Sequence, residues 1–121
     1  MGKILVVDDD KDIVELLTLI LEKDGHQITS AYNGKEALEK LEPETTDLII
    51  LDIMMPEMDG YAMNAKLLED PATRSIPIII LTAKAKMRDL FEVSSNVAAY
   101  IDKPFDPKFL RDKIRDILTK R

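Results

Sequence analysis

A run of four apolar residues, Leu48–Leu51, leads directly into the acid Asp52, and Pro56 and Gly60 follow shortly afterwards. A short segment that is apolar at every position fits a strand covered on both faces, as in a parallel sheet. Pro56 prevents regular continuation of the strand, and the Asp59-Gly60 pair is typical of a turn. The pattern therefore predicts that Asp52 lies at the carboxyl end of a central strand, where ligands collect in open α/β folds.

Similar apolar runs recur along the chain and alternate with segments of helical periodicity. Further strands are predicted at Lys3–Asp8, His26–Ala31, Ile76–Thr82 and Ala98–Asp102. Helices are predicted between Asp10 and Gly25, after the Tyr32-Asn33-Gly34 turn, at Gly60–Asp70, at Lys84–Ser95 and after Asp106. Strands one, three and four are apolar throughout, so we expect a doubly wound parallel sheet of five βα units with the flavodoxin-like order 2-1-3-4-5.

Apolar spacing also predicts which face of each helix is buried. The first helix is expected to bury Ile13, Leu16, Leu17, Ile20 and Leu21. The third is expected to bury Tyr61, Ala65 and Leu68, and the last helix Leu110, Ile114, Ile117 and Leu118. The single histidine, His26, stands at a turn and is expected to be exposed.

Length, charge and composition exclude several classes of protein. The chain of 121 residues predicts a single domain, and the last helix is expected to leave no room in this chain for an output domain. A net charge of −6 argues against direct contact with nucleic acid and against docking on anionic lipid. The chain has no cysteine and no apolar stretch that approaches a membrane span, which together favour a cytoplasmic location.

In the predicted topology one edge of the sheet collects several chemically active side chains, namely Asp8, Asp9, Asp52, Thr82 and Lys103. Taken singly, each residue has a simpler explanation as a helix cap, a strand residue or a surface residue. Only their predicted position at one edge of the sheet favours a functional site. Three carboxylates within ~5 Å would repel one another by roughly 3 kcal/mol per pair. Mg²⁺ relieves this repulsion, and a lysine and a hydroxyl can bind phosphoryl oxygens. The set predicts phosphoryl transfer with Asp52 as the nucleophile.

These residues resemble the site of a two-component response-regulator receiver domain of the single-domain type. The resemblance covers nearly the whole chain and depends on Asp8-Asp9, on LDIMMPEMDG around Asp52, on Thr82-Ala83 and on Lys103-Pro104. It implies that Asp52 accepts a phosphoryl group from a histidine kinase or a histidine phosphotransfer protein. It also implies that the chain is not an enzyme, beyond assisting its own phosphorylation and dephosphorylation.

The resemblance further implies a metal site for Mg²⁺, with Mn²⁺ as an alternative. Asp9 is similar to the direct metal ligand of the family, and Asp8 to the acid that holds metal-bound water. Asp52 and the backbone carbonyl of Met54 would complete the protein ligands.

For the phosphorylated state, the resemblance implies that Lys103 binds the phosphoryl group and that the Lys103–Pro104 bond is cis. Thr82 and Tyr100 are similar to the switch pair of the family. Their movement would remodel the surface formed by the fourth helix, the fifth strand and the fifth helix, which would signal to a protein partner that the sequence does not identify. A monomer or a phosphorylation-dependent dimer is expected.

Three other classes of protein share parts of this pattern. A haloacid-dehalogenase-type phosphohydrolase also has a nucleophilic aspartate at a strand end, but it needs a second acid where this chain has Met54. A flavodoxin-like electron carrier needs a phosphate-binding loop after the first strand, and three aspartates there would repel its cofactor. A phosphorylation-independent interaction module would not require the acids that are present here.

Overall fold

The computed structural model describes residues 2–53, 58, 60–82 and 95–120. In this part of the chain the elements are β1 (Lys3–Val7), α1 (Lys11–Lys23), β2 (Gln27–Ala31), α2 (Gly34–Lys40), β3 (Leu48–Leu51), α3 (Gly60–Glu69), β4 (Ile78–Thr82), β5 (Val97–Asp102) and α4 (Pro107–Thr119). The helix predicted at Lys84–Ser95 falls on residues outside the described part, Ser95 excepted, and stays a prediction.

The five strands are parallel and pair in the order β2-β1-β3-β4-β5, which confirms the predicted flavodoxin-like sheet. Val7 of β1 pairs with Leu51 of β3, so the two residues that follow these strands, Asp8 and Asp52, emerge side by side. β4 begins at Ile78, two residues later than predicted. The topology therefore brings the predicted site residues to one edge of the sheet.

Apolar side chains cover both faces of the sheet, because successive residues of a strand point to opposite sides. One face buries Leu5, Val7, Ile49 and Leu51 together with Ala37, Met63 and Leu67 of α2 and α3. The other buries Ile4, Val6, Leu48 and Ile50 together with Val14, Leu17 and Leu21 of α1 and Leu110 and Ile114 of α4. Within the described residues, no helix combines the length and the apolar character that a membrane crossing requires.

The face predicted for the last helix, α4, packs on the sheet, with Leu110 and Ile114 buried and Ile117 and Leu118 half-buried. In α1, Leu16 was wrongly predicted to be buried. Leu16 is 43% exposed, whereas Val14, Leu17 and Leu21 contact the sheet. The face of α1 that contacts the sheet is therefore narrower than the set of its apolar residues. Leu16 lies beside this face and is exposed to solvent.

The buried face predicted for α3 is wrong. Tyr61 is 47% exposed, Ala65 is exposed and Leu68 is only half-buried. The buried residues are instead Met63, Asn64 and Leu67. The Asn64 side chain satisfies its carbonyl by accepting a hydrogen bond of 2.7 Å from Asn96 Nδ2. Apolar spacing missed this face because one of its buried members is polar.

The ends of α1 match the sequence signals. The Asp10 side chain accepts hydrogen bonds from the backbone N–H groups of Asp12 and Ile13 at the first turn. At the other end Gly25 has a φ of 88°, and its N–H donates to the Glu22 carbonyl. A left-handed residue at this position ends a helix, and glycine adopts that conformation without a steric penalty.

The prediction that His26 is an exposed polar residue is wrong. His26 is half-buried, and its Nδ1 accepts a hydrogen bond of 3.0 Å from the Gly2 backbone N–H at the start of β1. It lines a cavity of about 270 Å³ with Asp24, Arg111 and Arg115, among others. Burial lowers the pKa of His26 below its ordinary value, although the charge of Asp24 opposes this.

We expect the stability of the protein to fall when His26 is protonated. Because the folded-state pKa of His26 is depressed, the unfolded chain binds the proton more tightly, and stability present above pH 6.5 is lost as the pH falls toward the folded-state value. Urea unfolding between pH 7 and pH 5.5 should therefore show a steeper loss for the wild type than for His26→Gln. Parallel curves for the two proteins would contradict the assignment.

Candidate functional site

Three carboxylates meet at the carboxyl ends of β1 and β3. One oxygen from each of Asp8, Asp9 and Asp52 lies within 4.8 Å of the others. Asp8 and Asp52 are only 2% and 6% exposed, whereas Asp9 is exposed. The Asp52 backbone N–H donates to the Val7 carbonyl at 2.9 Å, which holds the end of β3 against β1. The predicted cluster of acids is therefore present in the fold.

Lys103 supplies a positive charge to this cluster. Its Nζ lies 2.7 Å from Asp8 Oδ2 and 3.6 Å from Asp52 Oδ2, and its side chain is 17% exposed. Burial alone would lower the pKa of Lys103, but the hydrogen bond and charge of Asp8, together with Asp52, raise it above its ordinary value. The backbone N–H of Lys103 donates to the Thr82 carbonyl at 3.0 Å, which holds this residue beside the end of β4. The Lys103–Pro104 bond is cis, as the resemblance implied.

Negative charge is in excess among these four side chains, because three carboxylates face one ammonium. The donor atoms of the cluster are all carboxylate oxygens, the chain contains no cysteine, and its single histidine lies beside Gly2. Hard divalent cations prefer oxygen ligands, and Mg²⁺ is usually bound by one or two carboxylates, waters and a phosphate oxygen. The residues present therefore fit Mg²⁺.

Thr82 and Tyr100 lie on the same side of the sheet, facing away from α1 and α4. Tyr100 pairs with Ile80, and Thr82 with Asp102, in the register of β4 and β5. Thr82 is 2% exposed, and the Tyr100 ring is half-buried against the apolar cluster of α2 and α3. The structure thus brings both predicted switch residues to one face. Met54, whose carbonyl was predicted as a metal ligand, is outside the described residues.

Two glycines that support the site were not predicted to do so. A Cβ atom at Gly60 would lie 2.5 Å from the Asp52 carbonyl oxygen, and one at Gly34 would lie 2.8 Å from the Met58 carbonyl oxygen. Both glycines are the first residue of a helix, where most residues have better helix propensity. A glycine at such a position is the signal that could have indicated a close backbone approach.

Comparison with known sequences identifies relatives along nearly the whole chain. Residues 4–115 match the family described as "Response regulator receiver domain". The chain is 39% identical over 119 residues to the alkaline phosphatase synthesis transcriptional regulatory protein PhoP of Bacillus subtilis, which covers 98% of this chain and 49% of that protein. It is 39% identical over 121 residues to the response regulator SaeR of Staphylococcus epidermidis, which covers 99% of this chain and 52% of that protein. The chain spans about half the length of these relatives.

Solved structures give the same result for the fold. The response regulator protein TrrA from Thermotoga maritima, solved in complex with Mg²⁺-BeF, is 37% identical, with a TM-score of 0.84 and coverage of 98% of this chain and 100% of that one. A response regulator receiver domain protein from Methanospirillum hungatei is 31% identical, with a TM-score of 0.89 and coverage of 99% and 95%. The described fold and the sequence relatives therefore agree.

Proposed function

The chain belongs to the family of response regulator receiver domains, and from this premise we propose that Asp52 accepts a phosphoryl group from a histidine kinase or a histidine phosphotransfer protein. The observation that carries the proposal is the position of the Asp52 carboxylate, nearly buried, within 4.8 Å of two other acids and 3.6 Å from the Lys103 ammonium. Burying a carboxylate beside other acids lowers the stability of a fold. A site that binds a metal ion and a phosphoryl group gives that carboxylate a function.

The transfer that we propose forms an aspartyl phosphate. An Asp52 carboxylate oxygen bonds to phosphorus, while the bond from phosphorus to the donor's imidazole nitrogen or acyl oxygen breaks and the donor keeps that electron pair. Lys103 binds one oxygen of the phosphoryl group, and the Thr82 hydroxyl donates a hydrogen bond to another. Catalysis of this kind depends mainly on positioning and on charge neutralisation.

Mg²⁺ would be held by Asp8, Asp9 and Asp52, with the Met54 carbonyl as the further ligand that the family resemblance implies. When bound, the metal would neutralise the carboxylates and bind an oxygen of the incoming phosphoryl group. The oxygen-only donor set supports this proposal, and so does the similarity to TrrA, which was solved with Mg²⁺-BeF.

Thr82 and Tyr100 would transmit the phosphorylated state to the surface near β5. When the Thr82 hydroxyl turns toward the phosphoryl group, the Tyr100 ring on the same face gains space to move inward. The change is a population shift, limited by how much better the phosphoryl group binds one state than the other. The partner that reads this surface would be a protein.

Incubation with Mg²⁺ and acetyl phosphate tests the proposed function. We expect the intact mass of the protein to rise by one phosphoryl group and to stay unchanged when EDTA replaces Mg²⁺. Under the same conditions we expect no turnover of a phosphate monoester, because the chain has methionine where a phosphohydrolase needs its second acid. Monoester hydrolysis would favour the phosphohydrolase, and a protein that never gains a phosphoryl group would favour the interaction module.

A further inference from the structure

Met58 and Gly60, which follow Asp52 in the chain, are each held by a backbone hydrogen bond. The Gly60 N–H donates to the Ile53 carbonyl at 2.8 Å, next to Asp52. The Gly34 N–H donates to the Met58 carbonyl at 3.2 Å, which attaches Met58 to the first turn of α2. The position of Met58 therefore depends on a distant part of the chain.

The contact between Met58 and α2 requires glycine at position 34, because there is no space there for a side chain. A Cβ atom at position 34 would lie 2.8 Å from the Met58 carbonyl oxygen, 2.9 Å from its Cγ and 3.0 Å from its Cβ. Gly34 begins a helix, so a left-handed backbone is not the reason for glycine here. Met58 cannot move away freely, because its side chain packs against the buried cluster of α2 and α3.

The connection from β2 to α2 is also attached to the strand that carries the metal-binding acids. The Asp8 N–H donates to the Ala31 carbonyl at 3.1 Å. The short segment that follows is fixed by two local hydrogen bonds: Asn33 Oδ1 accepts from the Glu36 N–H at 2.8 Å, and Glu36 Oε1 accepts from the Tyr32 N–H at 2.6 Å. The connection is thus held by hydrogen bonds and contacts both Asp8 and Met58.

We propose that residues 31–34 form a brace that sets the positions of Met58 and Gly60 relative to Asp8, and that Gly34 is a positioning residue for the phosphorylation of Asp52. The proposal rests on the proposed function. The brace meets Asp8 at the backbone, where Ala31 accepts a hydrogen bond from the Asp8 N–H, and Gly34 acts through Met58. Displacing Met58 would disturb Gly60, whose backbone packs against the Asp52 carbonyl, so it would affect metal affinity and transfer rate together.

Gly34→Ala tests the brace, with Gly25→Ala as the matched control. Gly25 has a φ of 88° and lies at the end of α1, so alanine there destabilises the fold without touching Gly34 or Met58. With acetyl phosphate we expect Gly34→Ala to be phosphorylated about tenfold more slowly, since displacements near 1 Å can cost up to 10²-fold. We also expect it to need more Mg²⁺ for half-maximal phosphorylation, whereas Gly25→Ala should keep the wild-type Mg²⁺ dependence.

The outcomes separate this inference from the proposed function. If the wild type gains no phosphoryl group, the proposed function fails; if the wild type is phosphorylated and Gly34→Ala behaves like Gly25→Ala, the brace is wrong. Amide hydrogen exchange of the wild type tests the brace without any variant that must fold. Adding Mg²⁺ and beryllofluoride should slow exchange at the Gly34 N–H, and an unchanged rate there would overturn the inference.

Discussion

Replacing Asp52 with alanine is expected to abolish the gain of a phosphoryl group from acetyl phosphate, so that the intact mass stays that of the unmodified chain. Asp8 accepts a hydrogen bond of 2.7 Å from Lys103, and Asp9 is exposed, so neither is as well placed as Asp52 to attack phosphorus beside that ammonium. Asp52 lies 3.6 Å from Lys103 and is itself 6% exposed. We expect the loss to be complete, because Asp8 is already held in an ion pair with Lys103 at 2.7 Å and Asp9 is exposed to water.

Two variants serve as controls for the Asp52 experiment. Asp52→Asn keeps the shape of the side chain but lacks the nucleophilic carboxylate, so it should fail as completely as alanine. Asp112→Ala removes an acid that pairs with Lys108 and Arg115 on the surface of α4, and it should be phosphorylated like the wild type. A phosphoryl group found on Asp52→Ala would mean that a neighbouring acid is the acceptor.

Replacing Lys103 with methionine is expected to lower the free energy of unfolding by about 3 kcal/mol in the absence of Mg²⁺, since removing one partner of a buried ion pair leaves an uncompensated charge. The Asp8 and Lys103 side chains are 3% and 17% exposed, so water cannot fully solvate the acids that remain. Urea unfolding followed by circular dichroism measures the loss. Mg²⁺ should restore more stability to Lys103→Met than to the wild type, because the metal supplies the missing positive charge.

Lys108→Met is the matched control for the Lys103 experiment. Lys108 pairs with Asp112 at 3.3 Å, but its side chain is 83% exposed, and water and salt screen such pairs so that they add little to stability. We expect this variant to unfold close to the wild type, with no dependence on Mg²⁺. If Lys103→Met were as stable as the wild type, Lys103 would not stabilise the carboxylates in the way that the distances indicate.

The sheet and the acidic cluster were predictable because both follow from patterns within short segments. Leu48–Leu51 is buried at every position, and such a run has few alternatives to a strand covered on both faces. Once the strands are parallel, their carboxyl ends share an edge, so Asp8, Asp52 and Lys103 had to converge. The order of the strands does not follow from the residue pattern alone. The receiver family is itself an example of the flavodoxin-like order, so the resemblance contributed to that prediction.

The features that could not be predicted depend on contacts between distant segments. The buried face of α3 includes Asn64, whose partner Asn96 is far away in the sequence, and apolar spacing cannot indicate such a pair. The burial of His26 could not be predicted for the same reason, because its hydrogen-bond donor is the distant Gly2. The contact of Gly34 with Met58 is a matter of backbone distance, which the sequence shows only as an unexplained glycine.

The Asp8–Lys103 hydrogen bond joins residues that are 95 positions apart, one at the end of the first strand and one after the fifth. A folding intermediate in which either end of the chain is still unfolded would therefore have no complete pocket. A ligand of this pocket binds the native state and not the unfolded ensemble, so by mass action its binding free energy adds to the stability of the whole domain. Ligand-dependent protection of backbone amides far from the pocket would then report on its occupancy.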